Sequence, residues 1–323
     1  MARRGWRLAR VLAGIVLAAV LAVTVESTEA AAQESRDPIR IAVHDWTGQQ
    51  LTARLAGGIL ERSGYRVRYV VTDYMAGLDS MAAGRIDLVT EQWETTAQPA
   101  MRRGEATGKV ERLGPLGPIA IEDWWYPLYM KERCPGLPDW RALLKCGQAF
   151  ATPDTAPLGR YLGLPALWEG NDAERIEALG LPFVVVDAAN EEAMYADLKD
   201  AYERKAPLMV WVYSPHWVNA RFQGEWVQFP KYEPACYSDP KWGVNPDKAY
   251  DCGKPSGNIW KYAAIDMARK WPKAHRIMTR FRIDGPELER LVALVDIEKR
   301  PLLEVAGEWL AAHEAEWKAW EAP

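Results

Sequence analysis

Four short stretches concentrate the side chains capable of chemistry: His44-Asp45-Trp46, Glu91-Gln92-Trp93-Glu94, Asp123-Trp124-Trp125-Tyr126, and Trp211-Val212-Tyr213-Ser214-Pro215-His216-Trp217. Each sets indole or phenol rings beside carboxylates or an imidazole. Rings gathered around a gap hold a quaternary ammonium by cation–π attraction, stack on sugar faces, or simply fill a core. The chain carries sixteen Trp against five Phe. A core built for packing alone would not favour indole so heavily, because its N–H needs a partner when buried. A trimethylammonium head offers no hydrogen bond, so a cage of rings is its natural receptor. Desolvated rings contribute ~2 kcal/mol each at best, so three or four supply about 6–8 kcal/mol, near micromolar affinity.

Other chemistries fit less well. Glu91 and Glu94 flank Trp93, and a carboxylate pair hydrolyses glycosides when held about 5 or about 6.5–9.5 Å apart. A secreted carbohydrate-active enzyme is therefore the alternative from another class. Two acids three residues apart are as easily a solvated helix start, which favours negative charge. The chain has no G-x-S-x-G elbow, H-E-x-x-H pair, Walker loop or dinucleotide fingerprint, so no enzyme and no cofactor is expected. His44 and His216 are too isolated for a metal site. Cys134, Cys146, Cys236 and Cys252 are an even set whose order suggests two local bridges, Cys134–Cys146 and Cys236–Cys252, among three possible connectivities. Each bridge closes a loop worth roughly 3 kcal/mol. A zinc site is the rival, but no C-x-x-C pair supports it.

The elements that must position these residues follow from periodicity. Ile39, Ile41 and Val43 alternate as a strand, and Leu51, Leu55 and Ile59 repeat at helical spacing up to Gly64. Val67–Val71 predicts a second strand, Leu78–Ala83 a short helix, and Ile86–Thr90 a third strand, the βαβαβ pattern of an open parallel sheet. The pattern pauses over Arg112–Pro138, rich in Gly, Pro and aromatics. It restarts with a strand at Ala149–Ala151, a helix over Leu158–Trp168, a strand at Phe183–Val186, a helix over Asn190–Lys205 and a strand at Leu208–Tyr213. Phe222–Gly257 reads as loop, and from Ile259 onward the chain reads as helical, with Leu302–Trp320 one amphipathic helix.

Two α/β units joined by irregular segments describe a bilobed α/β protein with a central cleft and a helical C-terminal segment. Ligands of open α/β sheets sit beyond the carboxyl ends of strands, and that is where Trp46, Trp93 and Tyr213 fall. Trp124, Trp125 and Trp217 are further candidates. Trp168, Trp309, Trp317 and Trp320 lie in helical segments away from strand ends and read as packing residues. Trp211, inside its strand, is open to either reading.

Residues 1–32 read as a signal peptide: Arg3, Arg4, Arg7 and Arg10 precede an apolar stretch from Val11 to Val25, then Ala30-Ala31-Ala32. The apolar run is too short for a comfortable membrane span, and no later run approaches ~18 apolar residues. The expected mature protein is exported, periplasmic, soluble and monomeric. Losing four arginines and two acidic residues takes the net charge from −4 to −6. That balance gives no support for nucleic-acid binding.

Several of these patterns together resemble the substrate-binding proteins of ABC importers for glycine betaine, proline betaine and choline. The resemblance rests on Trp46, on LERSGYRV at Leu60–Val67, on MAAGRIDLVTEQW at Met81–Trp93, on WVYSPHWV, and on the tail from GNIWKYA at Gly257–Ala263. It implies a periplasmic-binding-protein fold, with lobe 1 formed by residues 33–125 and 214–323 and lobe 2 by residues 126–213. It also implies a quaternary ammonium ligand caged by Trp46, Trp93 and Tyr213, and a membrane permease as partner; a ligand sensor would share the fold. In that family a Gly-rich loop of the second lobe usually holds the betaine carboxylate. Here the corresponding stretch, Thr152–Gly159, contains two prolines without N–H donors and an acidic Asp154. Thr155 and the amides near the next helix start remain as anion donors. The loop favours choline or another cation lacking a carboxylate, and Asp45 and Glu91 push the same way by offering negative charge to the head group.

Overall fold

The computed structural model describes residues 34–322, so the leader expected over residues 1–32 lies outside the described residues. The chain builds one mixed sheet of nine strands in the order β2-β1-β3-β9-β4-β7-β5-β6, with β8 beside β4. The first half follows the expected alternation: β1 (Ile39–Val43), α1 (Thr47–Arg62), β2 (Val67–Val71), α2 (Gly77–Ala82) and β3 (Leu88–Trp93). β1 lies parallel to β2 and β3. α1 is buried along most of its length, Leu51, Leu55 and Ile59 included, because it packs against both the sheet and the C-terminal helices.

After α3 (Gln98–Ala106) comes the largest departure from the predicted pattern. The stretch read as a pause is β4 (Val110–Pro127), an eighteen-residue strand. Its alternation is hidden because the register shifts between Arg112 and Gly114 and again between Pro115 and Ile119. Proline and glycine are tolerated at such bulges, where the ladder is already interrupted. Gly117 has a φ of 136°, and a Cβ there would lie 2.3 Å from the Ile283 carbonyl oxygen, so this bend accepts only glycine. Along Val110–Ala120 β4 pairs with β9; from Ile121 to Trp125 it pairs with β7. One strand thus runs through both halves of the sheet.

The second half contains β5 (Gly159–Gly163), α4 (Asp172–Leu179), β6 (Phe183–Asp187), α5 (Glu191–Glu203) and β7 (Val210–Ser214). β5 stands where a helix is predicted over 158–168. It is buried on both faces, so it shows no polar alternation to mark it as a strand. The strand predicted at 149–151 is instead a 3-10 turn, Gly147–Phe150. β8 (Gly224–Trp226) adds a short edge to β4.

β9 (Gly257–Ala264) corrects the expectation that the chain is helical from Ile259. It runs antiparallel between β3 and β4, and Lys261, buried within it, donates from Nζ to the carbonyl oxygens of Met278 and Thr279 at the end of the next helix. α6 (Pro272–Arg280), α7 (Gly285–Asp296), α8 (Leu302–Ala312) and α9 (Glu314–Ala319) complete the chain. The single helix predicted over 302–320 is broken at His313. The cysteines pair as Cys134–Cys146 and Cys236–Cys252.

Candidate ligand cage

The two halves of the sheet meet over a small hollow lined by Trp46, Tyr74, Trp93, Glu122, Trp168, Trp211 and Tyr213. Four of the lining side chains are delivered by a strand end, a helix start or a turn, and three by the β4–β7 ladder. Trp46 sits in extended backbone immediately before α1. Tyr74 lies in the turn after β2, and Trp93 is the last residue of β3. Trp168 closes a 3-10 turn after β5. Trp211 and Tyr213, two apart on β7, share one face of the sheet, and Glu122 lies directly opposite Tyr213 across the β4–β7 ladder.

The six rings form a chain of edge and tilted contacts. Tyr74 meets Trp46 at 5.0 Å between centroids, Trp46 meets Trp168 at 5.4 Å, and Trp168 meets Trp211 at 5.6 Å. Trp211 meets Tyr213 at 5.2 Å, and Tyr213 meets Trp93 at 5.2 Å. Three of these rings come from the β1–β3 half and three from the β5–β7 half. Every one is at most 6 % exposed, so a charge between them is screened little by water.

The polar ends of the rings are turned away from the cavity and held there. Glu91 Oε2 accepts both indole N–H groups of the first half, Trp46 at 3.2 Å and Trp93 at 3.0 Å, while Oε1 accepts Thr52 Oγ1 at 2.8 Å. Burial raises the pKa of the Glu91 carboxyl, and these three bonds work against that. Trp168 Nε1 donates to Asp45 Oδ1 at 2.8 Å, across the cleft. The Tyr74 hydroxyl accepts the Trp93 amide at 3.0 Å, and the Tyr213 hydroxyl donates to Glu191. Trp211 Nε1 is buried and has no hydrogen-bond partner among the described residues.

Glu122 is the single carboxyl among the lining residues. Thr96 Oγ1 donates to its Oε2. Burial raises its pKa above the usual carboxylate range, with the Lys254 ammonium the chief opposing influence. Lys254 is itself tied to Asp172 at 3.2 Å.

Trp46, Trp93 and Tyr213, singled out from the sequence, therefore share one hollow. The expectation that Asp45 and Glu91 offer negative charge to the head group is corrected: neither is among the lining residues, and Asp45 accepts the Trp168 indole while Glu91 accepts those of Trp46 and Trp93. Trp124 stacks on Tyr161 at 4.0 Å and donates to Asp172, outside the cavity. Trp125 is core: a Cβ on Gly224 would lie 1.8 Å from its ring. Trp217 donates to Asp296 at 2.9 Å and faces a separate depression. Thr155 bonds to Thr152 within its own turn and is not a lining residue.

Tyr74 and Glu122 were not singled out from the sequence, Trp168 was read as a packing residue, and Trp211 was left open to either reading. Trp168 was hidden because β5 and the 3-10 turn that follows it were read as one helix. Glu122 was hidden by the bulges of β4. The spacing of Trp211 from Tyr213 was the available signal, since i and i+2 face alike on any strand.

Residues 37–312 match the family described as the substrate binding domain of ABC-type glycine betaine transport systems. The trimethylamine N-oxide-binding protein of Pelagibacter ubique (strain HTCC1062) is 30 % identical over 316 residues, spanning 95 % of this chain and 98 % of that protein. Among solved structures, lactococcal OpuAC with glycine betaine has a TM-score of 0.67 at 16 % identity, covering 88 % of this chain and 100 % of that one. A choline-binding protein in complex with choline also scores 0.67 at 16 % identity, covering 88 % and 91 %. The glycine betaine/L-proline-binding protein of Borrelia burgdorferi scores 0.70 at 17 % identity, covering 88 % and 96 %. These structural likenesses establish the bilobed binding-protein fold. The chain belongs to the substrate-binding domains of ABC-type glycine betaine transport systems, and is a solute-binding protein rather than an enzyme.

Proposed function

We propose that this protein captures trimethylamine N-oxide in the six-ring cage and, as an exported periplasmic protein, delivers it to an ABC transporter permease. The observation that carries the choice of ligand is the pairing of a ring-lined cavity with one carboxyl, Glu122, whose burial favours the protonated form. The N-oxide has two ends: a methylated onium that suits ring faces, and a small oxygen that is a strong acceptor. A protonated Glu122 donates to that oxygen, so ligand and side chain share one proton and neither is left as an unpaired buried charge.

Glycine betaine fits this cavity poorly. Its carboxylate needs several donors, and four of the six ring N–H and O–H groups already donate elsewhere. The Pelagibacter relative, named for trimethylamine N-oxide, supports the same reading. Isothermal titration with trimethylamine N-oxide, choline and glycine betaine tests it. The N-oxide is expected to bind tightest and betaine weakest; betaine binding more tightly than the N-oxide overturns the assignment.

A further inference from the structure

Behind the cage, a second buried carboxylate joins the two halves of the molecule. Glu191 is the first residue of α5 and is 6 % exposed. Its Oε2 accepts the backbone N–H of Thr47 at 3.0 Å, and its Oε1 accepts the Tyr213 hydroxyl. Thr47 opens α1 directly after Trp46, in the β1–β3 half. Tyr213 lies on β7 and α5 precedes it, both in the β5–β7 half. One carboxyl therefore grips the neighbour of one cage ring and the hydroxyl of another, from opposite sides of the cleft.

Its surroundings strengthen the grip. Asp296 on α7 accepts Thr47 Oγ1 at 2.7 Å and Trp217 Nε1 at 2.9 Å, so Thr47 is held by acids from two elements. His216 Nε2, fully buried and without a hydrogen-bond partner among the described residues, lies 3.8 Å from Glu191 and 3.9 Å from Asp296. Burial holds that imidazole neutral, so it brings no cation to neutralise the acids. Burial and then the nearby Asp296 push the Glu191 carboxyl up to about 8, so near neutral pH it retains a proton in this closed arrangement.

We infer that Glu191 is a positioning residue that couples closure of the cleft to completion of the cage: its bond to Thr47 forms only when the halves meet, and the same carboxyl then fixes Tyr213 against the ligand. The inference deepens the cage reading and rests on it for its ligand-release arm, but its first test needs no ligand. Amide hydrogen exchange at Thr47 is compared in wild type, Glu191→Ala and Glu191→Gln. Loss of one buried hydrogen bond is expected to speed exchange about tenfold in the alanine variant. Glutamine keeps a carbonyl acceptor for Thr47 and an amide donor for the Tyr213 oxygen, so it is expected to stay within about threefold of wild type.

In stopped-flow release of trimethylamine N-oxide, Glu191→Ala is expected to raise koff about tenfold with kon within about threefold, and Glu191→Gln to restore koff. A purely structural role would instead lower thermal stability without this split between rates. Unchanged Thr47 exchange in the alanine variant overturns the coupling. If wild type fails to bind the N-oxide, the ligand assignment falls, and the exchange measurement still decides the role of Glu191.

Discussion

The proton on Glu122 distinguishes an N-oxide ligand from a plain cation, and it does so quantitatively. Under the proposed function, trimethylamine N-oxide binds with Glu122 protonated, and choline binds with the carboxylate ionised against the ammonium. The two complexes differ by one bound proton. By linkage, the ratio of the N-oxide Kd to the choline Kd rises about tenfold per pH unit while both complexes keep those states. The sign follows from the raised pKa of Glu122: N-oxide affinity is complete below it and is lost as pH rises through it, whereas choline affinity grows over the same range. Using the ratio cancels any protonation of Glu191 on closure, which is common to both ligands.

Glu122→Gln sharpens the test. Its amide still donates to the N-oxide oxygen and its carbonyl still accepts from Thr96, so the N-oxide should lose about 1 kcal/mol, roughly fivefold. Choline loses its only counter-charge, about 1.5–3 kcal/mol, or at least tenfold, and the pH dependence of the ratio should vanish. Titration calorimetry at several pH values reads both quantities. A flat ratio in wild type, or equal losses for the two ligands in the variant, refutes the shared-proton account.

Replacing Trp93 by Ala should weaken trimethylammonium binding by about 1–2 kcal/mol, and the tert-butyl isostere of choline should bind far more weakly than choline; equal binding of the two in calorimetry removes cation–π attraction. Glu91→Ala leaves two indole N–H groups unpaired in the core, so affinity should fall at least tenfold and stability by about 2 kcal/mol or more, measured by titration and by denaturant unfolding. Serine at both Cys236 and Cys252 releases a loop whose Asn245 is bonded to the Ala178 carbonyl at 2.7 Å. The expected loss of roughly 3 kcal/mol should appear as a Tm lower by about 6–12 °C, with little change in Kd.

The parts of the fold legible in the sequence were those whose apolar residues repeat at the element's own period, even in α1, which is buried along most of its length. β1, α1 and β2 alternate or repeat plainly because one side of each meets solvent or a neighbouring layer in a regular way. β5 and β9 are covered on both sides, so their residues carry no period, and both were read as helix. β4 was invisible for a different reason: its glycines and prolines mark bulges rather than an end. The site was legible to the same extent. Trp46, Trp93 and Tyr213 follow from strands with recognisable ends, while Glu122 lies on a strand that gave no signal and Trp168 in a turn after another such strand. The roles of Asp45 and Glu91 depend on which way the indole N–H groups turn, and no spacing in a sequence encodes that.

β4 exchanges partners between adjacent residues: Ala120 pairs with β9 and Ile121 with β7. A strand shared in this way acts as an axle, and displacement during any opening of the cleft grows with distance from it. Glu122 lies one residue past the exchange, almost on the axis, whereas Trp46 and Trp168 stand out along the swinging arms. Should the halves part about this strand, the acid keeps its place while the walls travel, and under the proposed function an incoming solute's oxygen meets it before the rings enclose the methyl groups.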